Sequence, residues 1–117
     1  MTEPTRIFHN PRCSKSRQTL ELLTARGIEP EIIRYLETPP TERELRQILN
    51  RLGLEPRQLM RKGEKEYREQ HLDDDALSDD ELIHAMVATP RLIERPIVVH
   101  GDKAALGRPP ENVLTLF

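Results

Sequence analysis

A single cysteine, Cys13, in a chain of 117 residues removes several classes of small-protein architecture at once. No internal disulfide, Cys-x-x-Cys redox pair or multi-cysteine zinc site can hold the chain together, so its fold must rest on a hydrophobic core. One domain spanning residues 1–117 is expected at this length. Hydrophobic residues at 36% against 32% charged suit one modest core. Eighteen Lys+Arg and twenty Asp+Glu leave a formal charge of −2, which argues against a nucleic-acid partner while leaving room for a local basic site. No apolar run approaches the roughly 18 residues that span a bilayer, and Met1-Thr2-Glu3-Pro4 lacks a signal peptide's apolar stretch. A cytoplasmic protein without membrane contact is expected.

The ten prolines punctuate short elements rather than a linker. Arg6–His9 reads as a strand ending at the Asn10-Pro11 turn signal, and Ser14–Arg26 as a helix with Leu20, Leu22, Leu23 and Ala25 on its apolar side. Gly27 stands where a helix C-terminus favours positive φ. Ile32–Leu36, β-branched and aromatic, predicts a second strand and completes a β-α-β unit. Thr41-x-x-Glu44 is a capping box, and Leu45, Ile48, Leu49 and Leu52 recur at helical spacing until Gly53. A short helical piece is expected over Pro56–Arg61, then a charged, solvated stretch to Asp75. Ser78-x-x-Glu81 is a second capping box, with Leu77 and Leu82 as its staple and Ile83, Met86 and Val87 behind it. Pro96–Val99 and Lys103–Leu106 predict a hairpin, and a helix from Pro109 or Pro110 to Leu116 ends the chain. The expected fold is α/β, a four-stranded mixed sheet with flanking helices. Its order resembles a thioredoxin-like domain with a helical insertion, about 41–89, between the second and third strands.

Cys13 follows a strand and turn and directly precedes a helix. Free N–H groups and the positive end of the helix dipole should therefore face its sulfur and favour the thiolate, which is the nucleophile. His9, Arg12, Lys15 and Arg17 add nearby positive charge. Ser14 and Ser16 either donate hydroxyl bonds to the sulfur or a bound oxyanion, or cap the helix. In Cys13-Ser14-Lys15-Ser16 oxygen replaces the second sulfur of a dithiol motif, so any resolving thiol must come from outside. A phosphatase Cys-x5-Arg loop is excluded, because the sixth residue after Cys13 is Thr19. His71, His84 and His100 are dispersed, and Asp73-Asp74-Asp75 reads as a solvated loop, so no metal site is expected.

Phe8-His9-Asn10-Pro11-Arg12-Cys13-Ser14-Lys15-Ser16-Arg17 closely resembles the opening of the glutaredoxin-linked arsenate reductase (ArsC) family. The resemblance continues through Tyr35–Pro40, Leu59-Met60-Arg61-Lys62, Glu94–Val99 and Gly107-Arg108-Pro109, and is nearest to the subgroup carrying Cys-Ser-Lys-Ser. It implies that Cys13 is the catalytic nucleophile and that Arg61, Arg95 and Arg108 bind the oxyanion, a task suited to permanently charged guanidinium forks. It implies a cis Pro96 facing Cys13. It also places a histidine at His9, acting on the thiol or hydrogen-bonding backbone. The implied enzyme is an oxidoreductase that converts arsenate to arsenite through a Cys13 adduct, with glutathione as co-substrate, glutaredoxin as partner and no tightly bound cofactor. Two other readings remain: a glutathione-dependent thiol oxidoreductase, and a non-catalytic binding module like the Spx-type regulators.

Overall fold

The computed structural model describes residues 4–117, and the chain divides into two compact units, one formed by residues up to Thr38 together with Arg95–Phe117, the other by Pro39–Glu94. The first unit carries the sheet. Strand β1 (Thr5–Phe8) leads into helix α1 (Ser14–Ala25), then β2 (Glu31–Ile33). After the second unit come β3 (Ile97–His100), β4 (Lys103–Leu106) and a 3₁₀ helix over Pro110–Leu116. The sheet order is β2-β1-β3-β4. β1 pairs parallel to β2, and both β1 with β3 and β3 with β4 pair antiparallel. This is the four-stranded mixed sheet expected of a thioredoxin-like fold.

Period-two alternation does not apply to β3, where Ile97, Val98 and Val99 are all buried, so side chains on both faces of this strand are covered. Ile7 of β1, Val98 of β3, Leu23 of α1 and Val113 of the final helix are fully buried in one cluster, with Leu20, Ile28 and Ala105 packed against it. The inward face of α1 keeps Leu20 and Leu23 of the expected leucine side but extends differently. Ser16, Thr19 and Leu23, a stripe at i, i+3, i+7, are its buried residues, and Ala25 is exposed. The buried face turns polar toward the N-terminus of the helix, where Cys13 sits.

Two other differences have local causes. The second strand stops at Ile33 rather than Leu36, because the Arg34 carbonyl accepts from the N–H groups of Glu37 (3.0 Å) and Thr38 (2.9 Å) and closes a turn. The last helix is 3₁₀ throughout, the tighter winding common in short terminal pieces. Gly27 takes φ +77° after α1 and Gly53 φ +69° after the helix over Glu42–Leu52, as helix C-termini favour.

In the second unit α2 (Glu42–Leu52) and α4 (Asp79–Ala88) pack on each other. A 3₁₀ turn over Pro56–Leu59, helix α3 (Lys65–Glu69) and a second 3₁₀ turn over Pro90–Leu92 complete the unit. Both capping boxes form, at Thr41/Glu44 and Ser78/Glu81. Loss of either cap hydroxyl, Thr41→Ala or Ser78→Ala, is expected to cost about 1 kcal/mol, read as a lower urea midpoint with unchanged m-value. Between the two 3₁₀ turns, an antiparallel bridge of Met60 with Ile93 is flanked by Arg61 N–H to the Leu92 carbonyl and Glu94 N–H to the Leu59 carbonyl, both 2.8 Å. These bonds fix the backbone at Arg61.

Candidate active site around Cys13

β1 delivers the chain to a tight turn. Asn10 accepts the Cys13 N–H on its carbonyl (3.0 Å) and the Arg12 N–H on its side-chain Oδ1 (3.0 Å), an Asx turn nested in a β-turn. Cys13 is the N-cap of α1, with φ −96° and ψ 124°, and makes no side-chain capping hydrogen bond. The N–H groups of Ser16 and Lys15, which a helix N-terminus leaves without intrahelical partners, still favour the thiolate over the thiol.

Cys13 is buried, and burial alone pushes its thiol up. The Ser16 N–H, the Arg95 charge, the Lys15 N–H and the Arg108 guanidinium together outweigh this and hold the pKa below its ordinary value. Arg108 Nη1 lies 4.0 Å from the sulfur and also donates to the Arg95 carbonyl at 3.0 Å. Arg95 precedes Pro96 across a cis peptide bond, as expected; a second cis bond, Arg108-Pro109, follows the other arginine. Alkylation of Cys13 by iodoacetamide is expected to titrate with a midpoint below the roughly 8.5 of a free thiol. A midpoint at or above that value would remove the thiolate reading.

His9 and Ser16 face each other rather than acting separately. His9 Nδ1 lies 2.6 Å from Ser16 Oγ in a buried pair, and the Asn10 N–H donates to the same oxygen at 3.0 Å. Burial, then the charges of Arg34 and Arg17, push the His9 pKa down, so at neutral pH the imidazole is uncharged. It contributes a hydrogen bond that ties β1 to α1, not a cation beside the thiolate. The Ser16 hydroxyl serves this tie, while its backbone N–H serves the sulfur.

Arg61 belongs to the second unit. There its Nη2 lies 2.6 Å from Glu64 Oε1, Arg91 Nη2 lies 3.2 Å from the other Glu64 oxygen, and Arg61 Nη1 donates to the Arg91 carbonyl at 3.4 Å. Glu64 is brought back to Arg61 by a turn in which the Glu64 N–H donates to the Arg61 carbonyl at 3.3 Å. Asn10 builds the site through the turn that leads into Cys13, which the Asn-Pro pair signals in the sequence. Among the described residues there is no group of three or more His, Cys, Asp or Glu side chains able to hold a metal ion, and no helix is long and apolar enough to cross a membrane.

A model of the ArsC family matches residues 8–116. The chain belongs to the ArsC family. It is 54% identical over 117 residues to the uncharacterized protein YfgD of Escherichia coli (strain K12), covering 99% of this chain and 98% of that protein. It is 51% identical over 109 residues to the arsenate reductase of Neisseria meningitidis serogroup A, covering 92% and 93%. The structure of an arsenate reductase from Vibrio cholerae superposes with a TM-score of 0.97 at 51% identity over 100% of both chains. These similarities run through the whole sheet and the segments carrying Cys13, Arg95 and Arg108, so the thioredoxin-like fold is that of the ArsC proteins.

Proposed function

We propose that this ArsC protein is an arsenate reductase in which Cys13 is the nucleophile and Arg95 and Arg108 bind the oxyanion. The observation that supports this most is one buried sulfur at a helix N-terminus, met by two backbone N–H groups and influenced by two guanidinium groups. An anionic nucleophile and an anionic substrate repel at contact, and this concentration of positive partners offsets that repulsion.

In the proposed reaction the Cys13 thiolate attacks arsenic(V), a sulfur–arsenic bond forms and one oxygen leaves as hydroxide or, once protonated, water. A glutathione thiolate then forms a disulfide with Cys13 as the sulfur–arsenic electron pair passes to arsenic, which departs as arsenite. Two sulfurs are oxidised by one electron each, and arsenic is reduced by two. A glutaredoxin thiolate attacks the glutathione sulfur of the mixed disulfide and releases Cys13 as thiolate. The lack of a second cysteine in the chain is what makes an external thiol necessary, and a reducing, cytoplasmic setting suits that chemistry. Arg61 enters as a third anion ligand on the ArsC resemblance alone; Arg61→Ala is expected to raise KM for arsenate more than it lowers kcat.

Arsenite release from arsenate, followed with glutathione and glutaredoxin each present or omitted, tests the proposal. Turnover should require both thiols. Arsenite formation independent of them would overturn the reductant assignment, and no arsenite under any condition would overturn the activity.

A further inference from the structure

Gly107 sits between β4 and Arg108. Its φ is not among the positive values of the chain, so backbone conformation does not explain a glycine here. Space does. A Cβ at Gly107 would lie 2.4 Å from Thr19 Oγ1, 2.8 Å from Pro96 Cγ and 3.1 Å from Thr19 Cγ2, whereas Gly27, Gly53 and Gly63 have nothing within 4 Å. Thr19 is fully buried, its hydroxyl donates to the Lys15 carbonyl at 2.8 Å, and Gly107 N–H donates to the Pro96 carbonyl at 3.0 Å. A proline ring and a buried, hydrogen-bonded threonine have little freedom to move away.

Each of the three residues is linked directly to a group that acts on the Cys13 sulfur. Thr19 bonds Lys15, whose N–H meets the sulfur; Pro96 follows Arg95; Gly107 precedes Arg108. We propose that Gly107 is a positioning residue of the site: its missing Cβ lets Thr19, Pro96 and the end of β4 close into one contact, and that contact sets the spacing of both arginines from the sulfur. Loss of the spacing weakens the positive partners while burial of the thiol persists, so its pKa rises.

This inference rests on the reading of Cys13 as an activated thiolate, but its test needs no arsenate, so failure of the reductase assignment and failure of this contact are distinguishable. The pH profile of Cys13 alkylation is measured for wild type, Gly107→Ala, Thr19→Ala and the double variant Thr19→Ala/Gly107→Ala, each checked for folding by circular dichroism. Gly107→Ala is expected to move the midpoint upward toward the free-thiol value and to slow alkylation at pH 7 by about 3–10-fold. The double variant relieves the contacts with Thr19 but keeps the 2.8 Å approach to Pro96 Cγ, so its midpoint is expected to lie nearer to that of Thr19→Ala than Gly107→Ala lies to wild type. A folded Gly107→Ala with the wild-type profile overturns the proposal. So does a double variant displaced from Thr19→Ala as far as Gly107→Ala is from wild type. If Gly107→Ala does not fold, the double variant decides alone: a folded chain whose midpoint lies between that of Thr19→Ala and the free-thiol value supports the contact, and an unfolded chain or a midpoint below that of Thr19→Ala overturns it.

Discussion

Cys13→Ser is expected to reduce arsenite formation to the level of the enzyme-free blank, a loss of more than about 10⁴-fold in kcat, as removal of a covalent nucleophile does when the rest of the site cannot substitute. The physical reason lies in the two steps the sulfur must perform. A serine hydroxyl in the same place meets the same N–H donors and guanidinium groups, but its pKa lies too high for a useful alkoxide population. An oxygen also cannot form the mixed disulfide through which the electrons leave. Since Cys13 is the only cysteine, no neighbouring thiol can take over. Circular dichroism of the variant should remain close to wild type, which separates lost chemistry from lost fold. Arsenite formation by Cys13→Ser above the blank would show that the nucleophile lies outside this chain, with glutathione itself the obvious candidate.

Arg108→Ala is expected to lower kcat/KM for arsenate by about 10²–10³-fold, the scale on which single preorganised charge-stabilising donors act. Among the partners of its guanidinium are the sulfur at 4.0 Å and the Arg95 carbonyl at 3.0 Å, so truncation removes a thiolate partner and unties the two arginine segments. The Cys13 titration should therefore shift upward as well. Arg108→Lys supplies the charge without the planar fork. It should recover part of the thiolate shift but little of kcat/KM, because an ammonium group cannot bridge the carbonyl and an oxyanion in the same way. Equal recovery of both by lysine would reduce the role of Arg108 to simple charge. An alanine variant with unchanged kcat/KM would take it out of the anion site altogether.

Much of this was legible in sequence because the informative signals are local. Thr41-x-x-Glu44 and Ser78-x-x-Glu81 specify helix starts through bonds within four residues, and both boxes form. The β1-turn-α1 order placed Cys13 at a helix N-terminus for the same reason. The ArsC resemblance supplied the cis Pro96, which spacing alone could not, since only about 5–6% of X-Pro bonds in folded proteins are cis. What local pattern missed depends on partners distant in sequence. The buried stripe Ser16, Thr19, Leu23 looks polar at its N-terminal end, so a count of leucines finds Leu20 and Leu23 but not the two hydroxyl residues. Its meaning emerges only when His9 and Gly107 are brought against it. The uncharged state of His9 likewise depends on burial and on Arg34, 25 positions away in the sequence.

Cys13 as the N-cap of α1 also bears on the end of the proposed cycle. A thiol whose folded pKa lies below its unfolded one stabilises the native state fully above the unfolded pKa, and that contribution is lost as pH falls through the folded value. A mixed disulfide at Cys13 removes the negative charge at any pH, so the disulfide form forfeits the same stabilisation. Expulsion of Cys13 restores an anionic cap to α1, and a low-pKa thiolate is the faster leaving group in exchange. In the proposed cycle the lowered thiol pKa therefore favours the reduced enzyme, and the N–H groups that open α1 supply part of that preference.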